Sequence, residues 1–242
     1  MPRGAWIALL GAAAFAVIVL TRLPASWIVP HGASRACASL DGTVWSGACT
    51  GLTVQRTALG DLSWDLQPSR LLSGALAGHV LLMHGAVNVR ADVTFGFNGG
   101  LTLRNLVADI PLEPALIPEL PHQLRGTAHL DLALARLGHD RITELQGRIE
   151  AHDLVERSGR VTPLGSYALT FPGGSGEPTA TLQDLGGPLA VQGTLRLTKS
   201  GYELEGLVAA RPGAAPELVS NLQYLGSPDA LGRRPFSMAG TF

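Results

Sequence analysis

From residue 38 onward the chain alternates apolar and polar residues, and one phrase keeps returning: an apolar residue, any residue, glycine, any residue, an apolar residue. It reads Leu72-Ser73-Gly74-Ala75-Leu76, then Leu124-Arg125-Gly126-Thr127-Ala128 with its beat carried on by Leu130, Leu132 and Leu134. It returns as Leu145-Gln146-Gly147-Arg148-Ile149, Val191-Gln192-Gly193-Thr194-Leu195 and Leu204-Glu205-Gly206-Leu207-Val208, and Met238-Ala239-Gly240-Thr241-Phe242 ends the chain on it. Period two is the period of a strand, so the apolar residues and the glycine share one face while polar residues take the other. A glycine on that face lets a neighbouring side chain approach closely, or marks a bend. Repetition with little intervening helix predicts a mainly β fold: a repetitive, curved antiparallel meander with one apolar face and few short helices. Groove and sandwich both satisfy the pattern. Either way the apolar face needs cover, from curvature, a second layer, a ligand or a partner.

Few segments escape the alternation. Residues 111–121 carry four prolines and cannot form a long helix; a single turn or a cap over the sheet is expected. Residues 215–225 predict a short helix ending at Gly226. Residues 171–178, with Gly173, Gly174 and Gly176, read as a loop. No compositional break divides the region, so 37–242 is read as one β domain with a weak halving at 111–121.

The N-terminus has a different pattern. Residues 4–20 are uncharged and apolar, within the roughly 17–25 residues that a spanning helix needs. Arg3 precedes them, which favours a cytoplasmic N-terminus and places the rest of the chain on the far side of the membrane. A signal peptide cut after Ala14-Phe15-Ala16 is the other reading, but it would leave Val-Ile-Val-Leu as the new terminus. The expected organisation is therefore a cytoplasmic tip and single anchor over 1–22, a Pro- and Gly-bearing connector over 23–36, and a periplasmic β domain over 37–242.

Cys37 and Cys49 are the two cysteines, and their spacing matches no zinc or redox motif. Asp41-Gly42 between them signals a hairpin turn, which would set Cys37 opposite a residue near Ser46 unless a bulge at Gly47 shifts the register. An oxidising compartment favours a disulfide; two buried thiols are the alternative.

Composition excludes more than it identifies. The formal net charge is -1 and Lys199 is the only lysine, so the clustered basic footprint of a nucleic-acid binder is missing. Charged residues make up 15%, against about 25% in an average soluble domain, while the apolar 46% supports a core. The sequence holds no G-x-S-x-G elbow, H-E-x-x-H helix, P-loop or dinucleotide fingerprint, and it points to no catalytic residue, cofactor or metal. His79 and His84 are five apart, so alternation sets them on opposite faces. His129 and His152, each two or one residues before an aspartate (Asp131, Asp153), fall on adjacent predicted strands. An acid–base or metal pair is imaginable there, and solvated polar-face residues are the preferred reading. Asp61 and Asp65 around Trp64 read as hairpin chemistry rather than as a catalytic dyad. Trp45 and Trp64 read as structural core, because aromatic area dominates the packing of a small sheet; a binding platform is the alternative.

The run Gly42-Thr43-Val44-Trp45-Ser46-Gly47, followed by Leu62-Ser63-Trp64-Asp65-Leu66-Gln67-Pro68 and Leu71-Leu72-Ser73-Gly74, resembles the type II secretion system protein N family. Leu23-Pro24-Ala25-Ser26-Trp27, Gly186-Gly187-Pro188-Leu189, Gly201-Tyr202 and Leu225-Gly226-Ser227-Pro228-Asp229 with Gly232-Arg233 extend the similarity over nearly the whole chain. The resemblance implies a non-enzymatic accessory protein of the bacterial inner membrane. Its periplasmic domain would dock other secretion components, the secretin and the inner-membrane platform among them, during export of folded proteins. It attaches no catalytic residues. A curved sheet with an apolar inside also resembles the AsmA-like groove proteins, which makes a lipid or lipoprotein carrier the alternative.

Overall fold

A computed structural model describes residues 22–27, 36–54, 57–118, 120–138, 141–174 and 176–241. The expected anchor over 4–20 lies outside them. Among the described residues no helix is long and apolar enough to cross a membrane.

Among the described residues thirteen antiparallel strands follow one another in chain order to form a single open sheet. They are β1 (Ser39–Gly42), β2 (Ser46–Val54), β3 (Thr57–Gln67), β4 (Ala75–Met83), β5 (Asn88–Gly96), β6 (Leu101–Pro111) and β7 (Leu124–Leu137). β8 (Ile142–Arg157), β9 (Val161–Pro172), β10 (Thr179–Asp184), β11 (Leu189–Leu197), β12 (Gly201–Ala210) and β13 (Arg234–Thr241) complete the sheet. One helix, α1 (Pro216–Leu222), lies between β12 and β13. The sheet runs unbroken past 111–121, because β6 and β7 pair from Leu101↔Leu137 to Pro111↔Thr127. The four prolines instead make a turn-rich connection, with the Leu116 and Ile117 amides both donating to the Glu113 carbonyl. The halving expected there does not occur.

Two local signals resolve differently from the sequence reading. Asp41-Gly42 is not the hairpin turn: it ends β1, Gly42 pairs with Gly47, and the turn is 43–46, closed by the Thr43 amide on the Ser46 carbonyl. The Thr43 hydroxyl accepts from the Ser46 amide and supplies a turn bond that Asp-Gly would otherwise have provided. Leu72-Ser73-Gly74 is not a strand. Pro68 opens a 3-10 helix, Pro68–Ser73, and Gly74 ends it with φ 76° and its amide on the Arg70 and Leu71 carbonyls. A left-handed residue is what a helix C-terminus requires, so this glycine serves a cap rather than a pleat.

The other phrase glycines lie in strands, and two of them seat an aromatic ring from the adjacent strand. A Cβ on Gly206 would come within 2.8 Å of the Phe236 ring, and one on Gly240 within 2.5 Å of the Tyr202 ring. Gly47 does the same for Trp64, whose ring would meet a Cβ there at 2.5 Å. The Trp64 indole is half-buried on this seat, and its Nε1 donates to the Val44 carbonyl at 3.0 Å. Trp45 is also half-buried, in the 43–46 turn, and its carbonyl accepts from the Leu66 amide.

The tightest core lies in the middle of the sheet. Leu132, Ala135, Leu145, Phe171 and Ala180 form one buried cluster, flanked by half-buried leucines and isoleucines of β6 to β9 and β11. Among the described residues only short helical turns accompany the strands, so no second layer supplies this burial. The sheet curls about its own apolar face, as the right-handed twist of many consecutive strands allows.

Candidate functional site

Strand pairing places an uninterrupted apolar line on one face. From β1 to β13 the successive partners are Leu40, Cys49, Leu62, Leu82, Val89, Ala108, Leu130, Ile149, Leu169, Leu182, Gly193, Gly206 and Phe236. At about 4.8 Å per strand the line is roughly 58 Å long. Most of its side chains are half-buried rather than sealed. The neighbouring line on the opposite face includes Asp41, Ser63, Arg90, Asp131, Arg148, Thr170, Thr181, Thr194, Glu205 and Ser237. Each strand is therefore amphipathic in phase with all the others. Bulges between β5 and β6 and between β7 and β8 re-phase the lines where a slip would invert them.

Several charged residues of the polar face pair with a neighbour on the same or the adjacent strand. His79 lies 2.5 Å from Asp92, which also accepts from the Asn105 side chain. That amide bond, with His79 beside it, holds the Asp92 carboxyl below the ordinary range. His129 bonds Asp109 at 2.7 Å, and His152 bonds Glu150 at 2.8 Å. Arg148 donates to Glu150 and keeps its carboxyl low. His129 and His152 lie on adjacent strands but each has its own carboxylate, and neither uses the aspartate that follows it in sequence. Asp131 is the register partner of Arg148, and the Asp153 amide donates to the Ser166 hydroxyl. His84 departs from the expected alternation. Its φ of 62° turns it towards Asp61, at 3.6 Å, on the face that Asp61 and Asp65 share with His79. Among the described residues no group of three His, Cys, Asp or Glu side chains is placed to hold a metal ion.

Cys37 and Cys49 are joined in a disulfide, with Cα atoms 5.5 Å apart. Cys49 occupies the apolar line between Leu40 and Leu62 and is 2% exposed. The register would set Cys37 beyond Thr50, so the bond runs diagonally across the first hairpin rather than directly opposite.

Sequence reasoning missed the polar closure at one end of the apolar face. Asp184 and Arg234 fall on the apolar parity, two residues from Leu182 and Phe236. Asp184, 15% exposed, receives the Arg211 guanidinium at 2.6 Å and the amides of Val191 and Gly186. Burial raises its carboxyl, and Arg211 and those amides outweigh burial, so the net shift is downward. Tyr167, its cross-strand partner, is pushed up by burial and by the Asp184 charge. Arg234 donates to the Leu225 and Gly226 carbonyls that follow α1. Glu217 of α1 reaches Arg160 in the β8–β9 turn at 3.1 Å, and Leu218 is buried. The connection 211–233 thus straps that end of β8 to β13. The available signal was a charge on apolar parity, Leu182-Gln183-Asp184.

Arg211→Met should remove the guanidinium and leave the half-buried carboxylate short of one partner. A loss of about 2 kcal/mol at neutral pH is expected for a charge-assisted bond at a site where Arg211 is still 39% exposed. In the native protein the low Asp184 pKa contributes stability above the ordinary carboxylate range, and this is lost as pH falls through the depressed value. In the variant the part of that depression due to Arg211 is gone, so the acid limb of the melting-temperature profile should move to higher pH.

The geometry defines a class: a single-sheet, one-sided β protein that presents a long apolar face. Within that class, this chain belongs to the type II secretion system (T2SS), protein N family, which matches residues 36–237. It is 26% identical to the type II secretion system protein N of Aeromonas hydrophila over 99% of each chain. It is likewise 26% identical to the protein of that name from Vibrio cholerae serotype O1, over 93% of this chain and 90% of the relative. No solved structure matches. Membership supports a role in type II secretion.

Proposed function

We propose that the chain is a non-enzymatic accessory component of the type II secretion machinery, held in the bacterial inner membrane by one helix. In this reading 1–22 is the cytoplasmic tip and anchor, 23–36 the connector and 37–242 a periplasmic domain that docks other secretion components. The unbroken apolar line across thirteen strands carries the reading. It is half-covered by curvature and has no second layer among the described residues, which leaves a surface for protein contact. Family membership supports the setting, and the uncharged run 4–20 behind Arg3 supports the anchor.

Phe95 tests it. The side chain is 47% exposed on the apolar face, opposite Leu76 and Leu101. Phe95→Glu should leave the melting temperature nearly unchanged. It should weaken in-cell cross-linking to the secretin or the platform about tenfold or more, the loss expected of an interface aromatic, and reduce export with it. Unchanged cross-linking and export would remove the apolar face from docking.

A second reading is favoured by the strapped end at Asp184, Arg211 and α1, which makes the face a trough closed on one side. Such a trough suits an acyl chain, as in a lipid or lipoprotein carrier. Native mass spectrometry of the full chain that shows no bound lipid would count against it.

A further inference from the structure

The two edges of the sheet are unlike. The β1 edge is four residues long, and the chain itself lies against it: Pro24 bridges Thr43, the Val44 amide donates to the Leu23 carbonyl, and Ala25 is buried. The β13 edge is eight residues long, and among the described residues no backbone hydrogen bond reaches its outer side. Long uncovered edges template pairing with another strand. Edge devices are sparse here: Pro235 near one end, Arg234 as the one charge, and no bulge between β12 and β13. The apolar face also runs out at this edge, where Met238 is 57% exposed.

We infer that β13 is a homodimer edge, at which two copies pair antiparallel about a two-fold axis through Ser237. This is a stoichiometry that the docking reading neither requires nor supplies. An axis perpendicular to the sheet puts residues of even sum opposite one another, so apolar positions meet apolar positions and polar meet polar. Centred on Ser237, Phe236 faces the second copy's Met238, a sulfur–aromatic contact that covers both side chains. Pro235 faces Ala239, and Arg234 faces Gly240. The two arginines lie at opposite ends of the pairing, so no like charges oppose. The two sheets become one, with a continuous apolar face twice as wide.

The full chain, purified in detergent, should have a protein mass of twice 25.3 kDa by light scattering. Ser237→Cys should cross-link to a covalent dimer with a short bis-maleimide, because residue 237 faces itself. Thr181→Cys, exposed on the polar face away from this edge, should not. Met238→Lys should raise the dimer dissociation constant at least tenfold with an unchanged circular dichroism spectrum. A 25.3 kDa protein at every concentration overturns the inference. So does a dimer that survives Met238→Lys while the Ser237→Cys variant fails to cross-link, since that dimer uses another surface.

Discussion

Phe171→Ala should destabilise the protein by about 3–5 kcal/mol, read as a drop in the urea midpoint at unchanged slope. Phe171 is 3% exposed and sits in the one cluster where Leu132, Leu145 and Ala180 are also buried. Its cross-strand neighbour is Gly147, which has no side chain to move into the space left behind. The loss therefore includes both transfer of the ring and a cavity that cannot collapse. Phe97→Ala serves as the control. That ring is 66% exposed beyond β5, and its removal should change stability by less than about 0.5 kcal/mol. Phe171→Leu should recover most of the loss, because it restores volume in an apolar site. Equal effects at 97 and 171 would mean that the sheet does not curl tightly about its middle strands.

That contrast shows what the sequence made legible. Period two along Leu130, Leu132 and Leu145 to Ile149 marked both the strands and their buried face, because each strand is amphipathic and packs on the same side. The phrase glycines were legible as close-approach positions, and Gly206 beneath Phe236 and Gly240 beneath Tyr202 show what approaches. Register was less legible. It depends on turns, and the Thr43 hydroxyl moved the first turn past Asp41-Gly42. Gly74 looked like a strand glycine because its neighbours are leucines, yet Pro68 six residues earlier commits them to a 3-10 helix. His84 escaped the alternation rule through one left-handed residue at a strand end.

The candidate site divides the same way. The apolar line follows from in-phase alternation, whereas its continuity across thirteen strands depends on registers that bulges correct. The partner of His129 was illegible: it uses Asp109, twenty residues away, rather than Asp131. Cross-strand neighbours are set by hairpin length, and sequence proximity gives no guide to them. Arg211 on Asp184 belongs to the same class, since it arrives from the strap between β12 and β13.

Removing the Cys37–Cys49 bond should cost about 2–3 kcal/mol, because it closes a loop of 12 residues whose entropy returns to the unfolded chain. Cys37→Ala with Cys49→Ala is the proper variant, since serine at position 49 would place a hydroxyl in the apolar line between Leu40 and Leu62. The loss should be concentrated at the first edge. β1 has four residues and one strand neighbour, so its pairing with β2 rests on few bonds once the link is gone. Hydrogen exchange should therefore quicken in β1 and β2 while the amides around Leu132 and Phe171 keep their protection. Dithiothreitol should lower the melting temperature of the native chain and leave the double alanine variant unmoved. The bond also tests the compartment: a periplasmic domain should carry it when isolated from cells, with no thiol available to maleimide under denaturing, non-reducing conditions. Two reactive thiols in that assay would place the domain on the reducing side of the membrane and reverse the proposed topology.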